Sequence, residues 1–351
     1  MSSAFSGVTL SDLEAPKIVE PLDAEAILAA LITDFVTRYP DFTAEVESEP
    51  VLKLLEVAAW REVILRQRVN DAARAVMLAF AAGSDLDHLG ALVPVTRNTD
   101  ETDASFRGRI QLAPEAFSVA GPEGAYQFHA LSASATIADV SVASPTPGDV
   151  VVTVLATYGD GVPTARETVT NAEVTLDGDS VVLDGETITS IVVDGYTLGI
   201  DYVMAADGVT LHRVAGGGIA AGATLTVSYE RAGDLELVER VLAREDVRPL
   251  TDRVTVQAAT IRSYAIVASL IVFNGPDSEV VRLAAVEAAE AYADDQHRLG
   301  RDVTLSGLYR ALHQPGVQRV ALTEPTADIV VAADEAATCT GITVTVGGVD
   351  D

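Results

Sequence analysis

The side chains that carry most protein chemistry are few in this chain. Its five histidines are His88, His129, His212, His297 and His313, and none stands three or four residues from another. A helical pair of metal ligands is therefore missing. Cys339 is the only cysteine, which excludes an intrachain disulfide and a cysteine-based zinc site. With no histidine near it in sequence, it reads as a free, unreactive thiol. Asp294, Asp295 and His297 resemble a metal cluster on paper, but residues one and two apart do not share a helix face. Asp85, Asp87 and His88 crowd a helix start, where the macrodipole favours acids, so a capping role is expected. Gly159-Asp160-Gly161 and Gly216-Gly217-Gly218 lack both the dinucleotide spacing and a following Lys-Ser/Thr pair; they read as turns. A carboxylate pair for glycoside cleavage is a spatial matter, yet one tryptophan and 5% aromatic residues are thin for a sugar-stacking cleft. No G-x-S-x-G element occurs. No enzyme activity, metal or cofactor is expected, and the weight moves from catalysis to assembly.

Charge narrows the partners. The 351 residues hold 52 Asp plus Glu against 23 Lys plus Arg, a formal net charge of −29. A nucleic-acid binder needs a basic face to displace counterions, and an anionic membrane surface would repel this chain. Neither nucleic acid nor membrane is an expected partner. With 48% hydrophobic and 21% charged residues, the acidity is not that of a disordered tail. The expectation is a soluble globular chain of two or three domains. Met1 to Ser6 has no basic or apolar leader character, and the longest strongly apolar run, Ala75 to Ala82, is too short to span a bilayer. A chain made in a reducing cytoplasm, or kept in something assembled there, is expected.

The elements follow from periodicity. Asp23 caps a helix to about Arg38, with Ile27, Leu28, Leu31, Ile32 and Phe35 on one face, and Pro40 stops it. A second helix starts after Ser48, with Glu49 and Pro50 in its first turn, and runs from Val51 to Ala82 with Gly83 as its closing residue, roughly 45 Å. Val51, Leu55, Ala58, Glu62, Leu65, Val69, Ala72 and Val76 form a heptad seam broken by one charge. Leu54, Val57, Trp60 and Ile64 make a second apolar side, and Arg61, Arg66, Arg68 and Arg74 a cationic cluster. One reading buries this helix in its own domain; the other packs it against helices of other chains, where Trp and Arg are favoured. Short helices follow at Asp85–Ala91, around Phe106, Arg109 and Ile110 after a Thr102 or Asp103 cap, and from Gly121-Pro122-Glu123-Gly124 to about Ala133. From Ile137 the period becomes two, with strands at Ile137–Ala143 and Val150–Leu155.

Residues 167–233 differ in composition. They hold ten acidic and two basic residues, Arg213 and Arg231. Asp177-Gly178, Asp184-Gly185, Asp194-Gly195 and Asp207-Gly208 separate short strands at Val181–Leu183, Ile188–Val193, Tyr202–Ala205, Val209–Val214 and Ala223–Tyr229. Six or seven strands in so short a stretch predict a small β-sandwich inserted into a host domain. Beyond it, a helix is expected at Leu235–Arg244 and strands at Arg253–Ala258 and Ala265–Phe273. The turn Asn274-Gly275-Pro276-Asp277 leads into a helix from Glu279 to Leu299, followed by one from Leu305 to His313. Closing strands are expected at Val317–Leu322, Ile329–Val331 and Ile342–Val346.

The residues carry a resemblance. The run from Leu54-Leu55-Glu56 through Trp60-Arg61-Glu62 to Asn70-Asp71-Ala72-Ala73-Arg74, with Asp85-Leu86-Asp87-His88-Leu89 after it, resembles the long-helix region of the baseplate J-like proteins, wedge proteins of contractile phage tails. Phe106-Arg107-Gly108-Arg109-Ile110 and Ala120-Gly121-Pro122-Glu123-Gly124 are similar too. So are Glu245-Asp246-Val247-Arg248-Pro249, Gln296-His297-Arg298-Leu299-Gly300-Arg301, Pro315-Gly316-Val317-Gln318 and Cys339-Thr340-Gly341-Ile342. The likeness spans about 50–166 and 234–348, and the acidic segment between resembles the Ig-like domains grafted onto phage tail proteins. The resemblance implies an α+β multidomain fold. A helical wedge-core region lies at 1–100, an α+β host domain at 101–166 plus 234–255, an Ig-like β-module at 167–233, and an α+β domain for wedge-to-wedge contact at 256–351. It implies a structural wedge protein that forms the baseplate ring around the hub and relays the contraction trigger to the sheath. A helical bundle through Leu55, Trp60, Leu65, Arg66, Arg68, Val69 and Val76 would hold a second copy and a smaller tail protein I-like subunit. A lysozyme-like sheath initiator and hub and spike proteins would be further partners, all in the virion tail. The competing expectation is a receptor- or carbohydrate-binding tail protein acting through the inserted module.

Overall fold

The computed structural model describes residues 10, 13–14, 21–42, 49–118, 121–164, 166–183, 187–275 and 277–350. Ser48, Ala120, the Asp184-Gly185 turn and Pro276 lie outside the described residues. The chain is mixed α+β and divides into two compact units, Met1–Arg97 with Thr102–Gln111, and Asn98–Glu101 with Leu112–Asp351.

The first unit is helical. Helix α1 (Ala24–Arg38) starts where expected, with the Asp23 side chain accepting from the Ala26 N–H at 2.9 Å. Helix α2 (Pro50–Ala75) has Pro50 at its first position, where a missing N–H costs nothing. It packs against α1. α2 is shorter than the sequence predicts: 26 residues, about 39 Å, and it does not reach Ala82. The chain turns at Val76, and Arg107 takes the carbonyls released there, with Nε on Leu78 O at 2.8 Å and Nη2 on Ala81 O at 2.6 Å. Gly83 does not close α2. It opens helix α3 (Gly83–Ala91), and its N–H is capped by Asp103 at 3.0 Å. Thr102 is the cap of helix α4 (Asp103–Leu112), its hydroxyl accepting from Ser105 N. Asp85 stands in the first turn of α3, where the macrodipole favours an acid, while Asp87 pairs with Arg97 at 2.8 Å and His88 lies in the last turn. Phe106 is fully buried and abuts Gly90 so closely that a Cβ there would sit 2.6 Å from Phe106 Cζ.

The second unit contains four three-stranded sheets among the described residues. After a 3-10 turn at Ala113–Phe117 that periodicity did not predict, helix α5 (Glu123–Leu131) precedes strands β1 (Ile137–Ala143) and β2 (Asp149–Ala156). Helix α6 (Asp234–Leu242) and strand β9 (Arg253–Ala258) complete this layer, β9 running parallel to β2. Tyr126, Ala130, Val238 and Leu242 bury themselves on Ile137, Val140, Val152 and Val154.

Between β2 and α6 lie β3 (Glu167–Thr175), β4 (Ser180–Val182), β5 (Ile188–Val193), β6 (Tyr202–Met204), β7 (Thr210–Arg213) and β8 (Thr224–Arg231). They form two antiparallel sheets, β3-β8-β5 and β4-β7-β6. These sheets share one core, built from Leu176, Leu183, Val193, Tyr202, Leu211, Leu225, Val227 and Tyr229.

The last layer is strand β10 (Thr260–Phe273), helices α7 (Ser278–Gln296) and α8 (Leu305–Leu312), and strands β11 (Val317–Glu324) and β12 (Glu335–Asp350). Alternation along β10 sends Tyr264, Ile266, Ala268, Leu270 and Val272 to one face, where Val281, Ala285, Ala289 and Ala293 of α7 meet them. Spacing by four with small residues lets the helix lie close to the sheet. Both outer strands are longer than periodicity predicts. The expected strand at Ile329–Val331 is reduced to a single bridge from Ile329 to Val303.

Candidate assembly interface

The residues weighed and set aside as chemistry in the sequence make structural contacts. His297 Nδ1–H donates to Ala337 O at 2.8 Å, and Asp295 pairs with Arg301 at 3.0 Å. Burial pushes the Cys339 thiol up, which disfavours the reactive thiolate. Among the described residues, no group of three His, Cys, Asp or Glu side chains is placed to hold a metal ion. No helix among them is long and apolar enough to cross a membrane.

A groove lies between α1 and α2. This groove of about 400 Å³ is lined by Ala26, Ile27, Ala30 and Leu31 with Asp34, Glu62 and Arg66. Glu62, the charge that interrupts the heptad seam, accepts from Arg66 Nε at 3.0 Å, and both side chains are half-buried. The seam is therefore broken where a charge is matched within the helix itself, at i and i+4.

α2 has two unlike sides. Toward its own unit it turns Leu55, Ala59, Val63, Arg66, Asn70 and Ala73, all buried or half-buried. Away from it stand Leu54, Val57, Trp60, Leu65, Val69 and Val76, with Trp60 62%, Leu65 60% and Val76 70% exposed. Arg61, Arg68 and Arg74 are exposed among them. Of the seven residues expected at a bundle, Trp60, Leu65, Arg68, Val69 and Val76 stand on the exposed side, Leu55 is half-buried on the inner side, and Arg66 lines the groove. Leu54 and Val57 extend the outer surface beyond that set. Their alternation with Leu65 and Val69 at helical spacing was the signal that links them. Scattered surface leucines need no explanation, but a row of exposed apolar residues that includes a tryptophan and is interleaved with arginines does.

In the second unit, Asp234 is a buried carboxylate that gathers several donors. It stands at the first position of α6. Thr136 Oγ1 and Tyr158 Oη donate to it, as do Thr164 N at 2.8 Å and Thr164 Oγ1 at 2.9 Å. Burial pushes this carboxyl up, but the hydrogen bonds from Thr136, Tyr158 and Thr164 outweigh it and hold the group below the usual range. The network closes the root of the 167–233 segment, since Thr164 lies just before it and Asp234 just after. Arg166 on Glu236 at 2.8 Å and Arg231 on Glu167 at 2.6 Å fasten the same root. These contacts are architecture, tying the two ends of the segment together.

Comparison with known proteins agrees with a structural role. Residues 47–102 match the model of the baseplate J-like N-terminal domain, and residues 264–345 match that of the baseplate J-like protein C-terminal domain. The chain is 40% identical over 366 residues to baseplate protein J of Escherichia phage P2, with 98% of this chain and 99% of that protein covered. The chain belongs to the baseplate J-like family and is a non-enzymatic structural protein of the phage tail baseplate.

Proposed function

We propose that the protein is a wedge subunit of a contractile tail, part of the ring around the hub, and that it relays the contraction trigger to the sheath. The observation that carries this reading is the outer side of α2, a strip of exposed apolar residues and arginines about six turns long. A helix with such a side is completed by other helices. The occupants proposed are the matching helix of a second copy and a smaller tail protein I-like subunit. The C-terminal layer from β10 onward joins neighbouring wedges, and a lysozyme-like sheath initiator and the hub and spike proteins contact the finished ring. The two sheets of residues 167–233 with their common core support an Ig-like module set into the host layer. A one-time switch suits such parts, since alternative packings of rigid pieces differ by only a few kcal/mol.

The test is the double substitution Leu65→Asp and Val69→Asp. Both side chains are exposed in the chain by itself, so its fold survives. Two carboxylates inside a helical bundle would be desolvated without partners. The variant is expected to lose co-purification with the smaller wedge subunit. Unchanged complex formation would remove α2 from the bundle.

A further inference from the structure

The C-terminal sheet ends on an open edge. Its order is β11-β10-β12, so β12 pairs with β10 on one side and is outermost on the other. The start of that outer side is covered: Leu299 bridges Ala336, and Gly300 N donates to Glu335 O at 3.0 Å. From Gly341 to Val346, between register shifts at Thr340 and Gly347, no backbone partner meets it among the described residues. The side chains that reach its carbonyls from outside are the Arg282 guanidinium, 3.5 Å from Val344 O, and the strand's own Cys339 thiol, 3.5 Å from Gly341 O. Unpaired strand donors and acceptors are completed by another extended chain, unlike an apolar face, which many shapes can cover.

The sequence of the edge says which chain. Ile342-Thr343-Val344-Thr345-Val346 reads alike in both directions about Val344, with Gly341 and Gly347 flanking it. Two copies laid antiparallel across a two-fold axis at Val344 place Ile342 opposite Val346 and Thr343 opposite Thr345. Apolar then meets apolar and threonine meets threonine, the pairings that stabilise antiparallel sheets. The faces agree as well. Ile342, Val344 and Val346 lie on the core side, and Thr343 and Thr345 are exposed. Charge permits the approach. Ala336 to Val349 holds no charged residue in a chain of net charge −29. In this register Asp350 faces Thr338, and Glu335 stays with Arg262 at 2.8 Å. The opposite edge, β11, carries Arg319 and Glu324, the charges by which edges are ordinarily guarded.

We propose that the β12 edge docks a second copy of this chain, the two strands pairing antiparallel about Val344 so that two three-stranded sheets become one of six. The inference rests on the reading that C-terminal layers of neighbouring copies meet, and it specifies how. Arg282 releases the Val344 carbonyl on docking and keeps Glu279, to which it is bonded at 2.6 Å.

The experiment uses two full-length proteins in a Cys339→Ser background, Thr343→Cys and Thr345→Cys, mixed and oxidised, in solution and in assembled tails. The Val344 carbonyl points to the open side, so residues 343 and 345 form a non-hydrogen-bonded pair with Cα atoms about 4.5 Å apart, within disulfide reach. Like residues lie on the diagonal, about 7–8 Å apart, beyond it. A covalent dimer is expected in the mixture and in neither variant alone. Equal cross-linking in each variant alone overturns the proposal. A mixture of isotope-labelled and unlabelled wild-type protein treated with a dihydrazide separates the two levels of the argument. Copy-to-copy links between carboxylates of residues 256–351, without the 343–345 disulfide, overturn the strand pairing and leave C-terminal contact in place. Absence of both overturns both.

Discussion

At the scale of single residues, Asp234 has the largest predicted effect. Its carboxylate receives four hydrogen bonds and is 4% exposed. Replacing it with Asn leaves buried donors facing a group that accepts less, and a cost of about 2–4 kcal/mol is expected. Denaturant unfolding of the full chain measures it. The sign of its pH dependence is fixed. The folded-state pKa lies below the ordinary value, so its stabilisation is full above an unfolded pKa of about 3.9. It disappears as pH falls through the lower folded value. The stability gap between wild type and Asp234→Asn is therefore flat at neutral pH and closes below about pH 4. A gap that widened toward acid would contradict the bonding described. Nothing in the sequence singles out Asp234 among 52 acidic residues, because its four donors come from positions 70 to 98 residues away. Trp60, Leu65 and Val69 are the opposite case, since helical spacing alone puts them on one strip.

At the scale of elements, legibility follows the range of the forces that set each boundary. The α1 cap and the strands β1, β5 and β9 were readable because Asp23, period-two alternation and Asp-Gly turns act locally. The end of α2 was not. Val76 to Ala82 is as apolar and helix-compatible as what precedes it, and the chain leaves the helix where Arg107, 26 and 29 residues away, binds the carbonyls of Ala81 and Leu78. β3 escaped notice for another reason. Most of it is exposed, and its alternation is broken by a register shift between Val169 and Ala172, with Asn171 at φ 54°. The Arg107 account predicts that Arg107→Ala costs about 1–3 kcal/mol, the price of unmet carbonyls near a charged donor. Faster hydrogen exchange should then appear at residues 77–83, and α1 should be unaffected. Uniform exchange across all four helices would mean that the turn is set by something other than Arg107.

At the scale of the whole molecule, charge and length come apart into separate contributions. Residues 167–233 carry a net −8 and possess their own hydrophobic core, which shares no residue with the cores on either side. They leave and re-enter the host at one point, because Glu167 at the start of β3 pairs with Arg231 at the end of β8. Adjacent strand ends can be joined by a two-residue turn. Replacing residues 167–232 with two glycines should therefore leave the rest of the chain folded, with Asp234, Thr164 and the Arg166–Glu236 pair still in place. Thermal melting of the deletion variant is expected within a few degrees of the full chain, and its tails should assemble. A deletion that unfolds the chain would show that the segment completes the host instead of standing on it. If tails assemble but fail to adsorb, the segment binds the receptor. If they adsorb and contract normally, the baseplate role resides in the remaining helices and sheets, where the family matches at residues 47–102 and 264–345 also lie.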